Sequence, residues 1–155
     1  MVADSPLPLD QRPIEILLVE DNPGDVRLTR EALTESSIRN KLTVMADGQA
    51  AMDYLEESVS RPGVALPDLV LLDLNLPKLS GHEVLRRMKS SVSLKRIPVI
   101  ALTTSDAQRD VLACYDEHVN CYITKPMAYA PFMDLMRSVA DFWMRRVELP
   151  ARFPQ

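Results

Sequence analysis

Short apolar runs recur along the chain, and each is followed by a stretch whose apolar residues have helical spacing. A run that is apolar throughout, such as residues 69–72, is typical of a strand buried on both faces of a parallel sheet. Five strands alternate with five helices between residues 14 and 147, which predicts an α/β fold. It is a three-layer, doubly wound parallel sheet with right-handed crossover helices. The predicted strands are 14–19, 42–46, 69–72, 97–102 and 121–124.

Helix starts carry their own signals. Ser80 is followed three residues later by Glu83, which is the pattern of a capping box and predicts the start of the third helix. The fourth helix is predicted over residues 106–117, and the last over about 128–147. We expect a flexible leader over residues 1–13, one domain over 14–147 and a tail over 148–155.

The last helix carries apolar residues on more than one face. One set at helical spacing predicts the face that packs on the core, and the rest predict an interface with a second copy of the chain. The core set is Phe132, Leu135, Met136, Val139 and Trp143, and the interface set is Met133, Phe142 and Met144.

Composition narrows the classes of protein. The chain has 155 residues, the size of one domain, and its net charge of -4 argues against a nucleic-acid binder. The sequence lacks the apolar segment of a signal peptide and any run long enough to cross a membrane, so we expect a cytoplasmic protein without a membrane partner. Cys114 and Cys121 do not have metal-site or redox spacing, which predicts two reduced thiols.

Polar residues collect where the predicted strands end. Glu20 and Asp21 follow the first strand, Asp73 the third, Thr103 ends the run of the fourth, and Lys125 follows the fifth. In a doubly wound sheet, the carboxyl ends of the strands form the ligand site. Clustered carboxylates repel one another, and Mg²⁺ relieves the repulsion because it prefers oxygen ligands. With Mg²⁺ an aspartate can attack a phosphoryl group, while a lysine and a hydroxyl hold the phosphate oxygens.

At this point the sequence resembles the receiver domains of two-component response regulators. The resemblance covers about residues 14–147 and implies a flavodoxin-like sheet with strand order 2-1-3-4-5. Four motifs carry it, each after its own strand: Val19-Glu20-Asp21-Asn22, Leu71-Leu72-Asp73-Leu74-Asn75-Leu76-Pro77, Leu102-Thr103-Thr104-Ser105 and Thr124-Lys125-Pro126.

The resemblance implies a role for each matching residue. Asp73 would accept the phosphoryl group from a histidine of a sensor kinase. Asp21 would be the main carboxylate ligand of Mg²⁺, with help from Glu20 and from the backbone carbonyl of Asn75, and Asp73 would complete the set. Lys125 would pair with the phosphoryl group.

Two further residues would report phosphorylation. Thr103 would be the switch hydroxyl, and Tyr122 the aromatic residue that turns inward when Thr103 moves. From the residues alone, Thr103, Thr104 and Ser105 are all candidates for the switch hydroxyl. Thr103 is favoured because it directly follows the apolar run. His82 and His118 are interpreted as exposed histidines on helices.

Weaker features resemble the single-domain regulators that partner bacterial and cyanobacterial phytochromes. This subgroup implies a phytochrome kinase as partner and a homodimer through the last helix and strand five. Met127 departs from the Phe that is common in receivers after Lys-Pro, and we expect it to fill a packing gap. The subgroup features are the Ile-Thr-Lys-Pro segment, the loop 60–67, Asn75-Leu76-Pro77, Phe142-Trp143 and Glu148-Leu149-Pro150.

The leading hypothesis is a phosphorylation-controlled signalling module that is not an enzyme. Two other functions compete with it. A phosphatase of the haloacid dehalogenase type also uses an aspartate nucleophile, but it needs a general acid two residues later, where this chain has Asn75. A degenerate receiver binds partners without phosphorylation, but it usually lacks an acidic ligand or the lysine.

Overall fold

Parallel strands form the centre of the protein. The computed structural model describes residues 12–150, and within them five strands form one parallel sheet in the order β2-β1-β3-β4-β5. The predicted α/β class and strand order are therefore confirmed. The strands are β1 (Ile14–Val19), β2 (Asn40–Met45), β3 (Leu69–Leu72), β4 (Val99–Thr103) and β5 (Cys121–Thr124).

Helices connect the strands, and side chains cap several of their first turns. Asn22, Asp47 and Ser80 each accept a hydrogen bond from a backbone N–H three residues later. The predicted cap at Ser80 is present, while the Glu83 carboxylate pairs with arginines of its own helix. The helices are α1 (Pro23–Glu35), α2 (Gly48–Ser60), α3 (Gly81–Ser90), α4 (Gln108–Asp116) and α5 (Tyr129–Asp141), followed by a π-helical turn (Phe142–Arg146).

The sheet is buried on both faces because its strands alternate between two apolar layers. Leu17 and Val19 pack with α2, α3 and α4, whereas Ile16 and Leu18 pack with α1 and α5. All four residues of β3 are buried, as the continuous apolar run predicts. With both faces covered by apolar residues, the polar side chains collect at the strand ends, which is where the candidate site lies.

The last helix differs from the sequence prediction. Its α-helical part begins at Tyr129 and ends at Asp141. Met133 and Met144, predicted to lie outside the core stripe, are 1% and 7% exposed. The prediction was wrong because Met133 of α5 and Met144 of the π-helical turn both belong to the apolar cluster formed with the sheet and α1, so the buried face of this segment is wider than one stripe. Trp143 is partly exposed instead of fully buried.

Two smaller predictions are also corrected. Met127 is 91% exposed, so it fills no packing gap in this fold. His118 lies beyond the end of α4 with a φ of 65°, in the left-handed conformation that often terminates helices. The predicted leader was residues 1–13 and the predicted tail residues 148–155, and most of both segments (1–11 and 151–155) lies outside the described residues.

Candidate functional site at the carboxyl ends of the strands

The predicted site residues lie together because the strand ladders continue past the strand ends. The backbone N–H of Asp73 donates to the carbonyl oxygen of Val19 at 3.0 Å. The backbone N–H of Lys125 donates to the carbonyl oxygen of Thr103 at 2.7 Å. These bonds fix the positions of the side chains at neighbouring strand ends. Asp73, Thr103 and Lys125 are buried.

Lys125 is the centre of the site. Its ammonium donates to Glu20 at 2.5 Å, to Asp25 at 3.0 Å and to Asp73 at 3.1 Å. An ammonium group has three donors, so all three are used. Asp25 was not identified from the sequence. It lies in the first turn of α1, four residues after Asp21, and this helical spacing next to the acidic motif is the signal that could have indicated it.

Three carboxylates form a group that suits a divalent cation. One oxygen of each of Glu20, Asp21 and Asp73 lies within 4.8 Å of the others. Glu20 and Asp73 are buried, whereas Asp21 is exposed and borders solvent. A set of carboxylate oxygens with one open side fits a hard ion that keeps part of its water shell. The backbone N–H of Asn75 donates to Asp73 at 3.1 Å, which places the fourth predicted ligand residue beside this set.

The charges of the site are strongly coupled. Burial raises the pKa of Glu20 to about 7; the hydrogen bond and charge of Lys125 oppose this rise, and the charge of Asp73 adds to it. Burial would lower the pKa of Lys125, but its bonds to Glu20 and Asp25 raise it above the ordinary value. Lys125 is therefore cationic at neutral pH, and the pocket holds more negative than positive charge, which favours a divalent cation.

The loop between β3 and α3 is held by two close backbone approaches. A Cβ on Gly81 would lie 2.1 Å from the carbonyl oxygen of Asp73, and a Cβ on Gly48 would lie 1.9 Å from that of Leu79. Neither position has room for a side chain. Gly81 thus brings the start of α3 directly against the backbone of Asp73 and fixes the loop that also carries Asn75.

Both candidate switch residues contact Ser105 in the loop after β4. Thr103 is fully buried and Thr104 is exposed. The Tyr122 hydroxyl donates to the carbonyl of Ser105 at 2.7 Å, and the Ser105 hydroxyl donates to Asp110 at 2.5 Å. Of the three hydroxyl residues that compete in the sequence, Thr103 alone combines a buried side chain with a position at the strand end.

The structure corrects the interpretation of His82. Its Nε2 lies 3.3 Å from a carboxylate oxygen of Asp110, and its Nδ1 lies 3.7 Å from the sulfur of Cys114. The side chain is 34% exposed and connects α3 to α4, because these helices pack side by side on the sheet. Burial raises the pKa of the Cys114 thiol to about 11, so this cysteine is an inert thiol at neutral pH.

The fold and the acidic site together define an α/β protein with a candidate divalent-cation site at the carboxyl edge of its sheet. The family model of the response regulator receiver domain matches residues 16–137. The chain therefore belongs to the family of response regulator receiver domains. Receiver domains bind a divalent metal in this acidic pocket, and membership implies a histidine kinase as partner.

Relatives that match the chain over nearly its whole length support this assignment. The response regulator Rcp1 of a Synechocystis strain is 45% identical over 90% of this chain and 95% of that protein. The crystal structure of a phosphorylated cyanobacterial phytochrome response regulator, RcpA, is 43% identical with a TM-score of 0.85 over 90% of this chain and 99% of that one. The Mn²⁺-bound form of Rcp1 has a TM-score of 0.84 at 45% identity, covering 89% of this chain and 99% of that one.

Among residues 12–150, none of the helices combines the length and the apolar character that crossing a bilayer requires.

Proposed function

We propose that the chain accepts a phosphoryl group on Asp73 from the phosphohistidine of a sensor kinase, with Mg²⁺ held by Glu20, Asp21, Asp73 and the carbonyl of Asn75. The observation that carries this proposal is the hydrogen bond from buried Lys125 to Asp73, beside a group of three carboxylates. A lone aspartate after a strand is usually a helix cap. An aspartate that shares a buried lysine with other carboxylates is suited to phosphoryl transfer.

The residues of the site suggest how transfer proceeds. A carboxylate oxygen of Asp73 attacks phosphorus, an oxygen–phosphorus bond forms, and the nitrogen–phosphorus bond of the donor histidine breaks. When bound, the cation supplies positive charge to the nucleophile and the incoming group. Lys125 already points one N–H at Asp73, so it can donate to a phosphoryl oxygen at the same place. The Thr103 hydroxyl, at the end of the adjacent strand β4, supplies the neutral donor that reports the new group.

The proposal extends to the partner. The chain is 45% identical to Rcp1 and 43% identical to a protein described as a cyanobacterial phytochrome response regulator. This likeness covers about nine tenths of the chain, so we infer that a phytochrome kinase in the cytoplasm is the phosphodonor.

A homodimer through α5 and β5 is part of the same proposal, because Met127, Tyr129 and Phe142 leave large apolar side chains exposed along that part of the chain. Sedimentation of the protein with and without beryllofluoride tests the dimer.

The alternatives fit the site less well. A dehalogenase-type phosphatase requires a proton donor where Asn75 stands, and an amide cannot serve as a general acid. A degenerate receiver lacks part of the acidic set or the lysine, whereas Glu20, Asp21, Asp73 and Lys125 lie together here.

The decisive experiment is phosphotransfer from labelled histidine kinases to the wild-type protein and to Asp73→Asn. We expect loss of label in Asp73→Asn, because an amide oxygen is a poor nucleophile. Asp53→Asn on the outer side of α2 is the matched control and should be labelled normally. Asp21→Ala should require far more Mg²⁺. Unchanged label on Asp73→Asn would exclude Asp73 as the phosphoacceptor.

A further inference from the structure

Ser105 connects both candidate switch residues to the rest of the fold. Its N–H faces the Thr103 hydroxyl at 3.5 Å, and its carbonyl accepts from the Tyr122 hydroxyl at 2.7 Å. Its own hydroxyl donates to Asp110 at 2.5 Å and accepts from the N–H of Ala107 at 3.3 Å. A movement of Thr103 or Tyr122 therefore has to move Ser105 or break one of these bonds.

Asp110 links Ser105 to a residue of a different helix, His82 of α3. It lies in the first turn of α4, and while one carboxylate oxygen accepts from Ser105, the other lies 3.3 Å from Nε2 of His82 on α3. The ring of His82 is held on its other side by Cys114 of α4, which is fully buried. The result is a continuous series of polar contacts from β5 through the loop after β4 to α3.

We propose that Ser105, Asp110 and His82 form a latch that couples Thr103 and Tyr122 to helix α3, so that phosphorylation of Asp73 is reported at α3 as well as at α4 and β5. Ser105 and Asp110 are positioning residues in this proposal, because they act through the switch residues and do not touch the phosphoryl group. The proposal rests on the proposed function, since it needs phosphorylation of Asp73 as its input.

The hydrogen bonds make the latch specific. The bond from Ser105 is the largest of the interactions that lower the pKa of Asp110, so Asp110 is a carboxylate at neutral pH. A hydroxyl bound to a carboxylate is a stronger and more directional contact than one between neutral groups. Ser105 is partly buried, which shields this bond in part from competing water. Removing this single hydroxyl should therefore uncouple α3 from the switch without emptying the core.

His82 offers a direct readout at the far end of the latch. The chain has two histidines, so their imidazole C–H resonances are readily assigned by comparison with His82→Gln. Beryllofluoride with Mg²⁺ imitates the phosphoryl group on aspartate, and it is added at fixed pH to the wild-type chain. We expect the His82 resonance to move in the wild type, to stay in place in Ser105→Ala, and to move again in Ser105→Thr, which keeps the hydroxyl. Asp116→Ala, at the exposed far end of α4, is the matched control and should respond like the wild type.

The outcomes separate the latch from the function on which it rests. A His82 resonance that does not move in the wild type, or that moves equally in Ser105→Ala, overturns the latch even if Asp73 is labelled by the kinase. Failure of Ser105→Thr to restore the movement also overturns it, because the hydroxyl would then not be the coupling group. Loss of kinase labelling in wild type, measured separately, counts against the proposed function itself.

Discussion

Glu20 should make the protein less stable as pH rises when no metal ion is present, and Glu20→Gln should remove this effect. The side chain is 3% exposed, and burial raises its pKa to about 7 from an ordinary value of 4.5. Between these two values, the folded protein holds a proton on Glu20 that the unfolded chain has released. The free energy of unfolding therefore falls as pH rises through this window.

The size of the effect follows from the two pKa values. At about 1.4 kcal/mol for each pKa unit, the difference between 4.5 and about 7 corresponds to about 3 kcal/mol above pH 7. Glutamine resembles the protonated carboxyl and still offers Lys125 an oxygen acceptor. Glu20→Gln should thus match the wild type near pH 4.5 and be more stable by about 3 kcal/mol at pH 8. Among residues 12–150, hydrogen bonds and nearby charges lower the pKa values of three other carboxyls, so their contributions to stability change at lower pH: Asp47, Glu83 and Asp110.

Urea denaturation followed by the fluorescence of Trp143 measures this difference between pH 4.5 and pH 8 in EDTA. Glu31→Gln on the exposed side of α1 is the matched control, and it should follow the wild-type curve. Added Mg²⁺ should reverse the order of stability, because the wild type binds the ion more tightly and gains more from it. A wild-type stability that rises with pH in EDTA, or a Glu20→Gln curve that coincides with the control, would refute this account of the site.

Two further substitutions test how the site is built. Gly81→Ala should lower the free energy of unfolding by about 2 kcal/mol and slow phosphotransfer, because its Cβ would meet the carbonyl of Asp73 at 2.1 Å. Gly24→Ala is the control, and equal behaviour of the two variants in denaturation and labelling would contradict the close approach. Asp25→Asn removes one carboxylate from Lys125, so titration calorimetry should show a divalent-ion affinity reduced about two- to fivefold. An unchanged affinity would mean that the charge of Asp25 does not contribute to binding of the divalent ion.

Local patterns in the sequence determined the elements of the fold. The run 69–72 is apolar throughout because β3 is covered on both faces, and the strand it predicts matches the observed one. The cap at Ser80 could also be predicted from local sequence, because a helix start needs an acceptor for its first N–H groups. The strand-end rule then placed Glu20, Asp73 and Lys125 at one edge, and the structure brings them within hydrogen-bond distance.

Contacts between elements were decided by the tertiary structure alone. Met133 of α5 and Met144 of the π-helical turn are buried because this segment packs into one cluster with α1 as well as the sheet, and the spacing of apolar residues on one helix does not show that it has a second neighbour. Asp25 contributes to the site because α1 turns its first residues over Lys125, and Ser105 reaches His82 only through Asp110 of another helix. The periodicity of a sequence reports which side of an element is apolar. Which side chains meet across elements depends on packing distances of a few ångströms, and these are set by the whole fold.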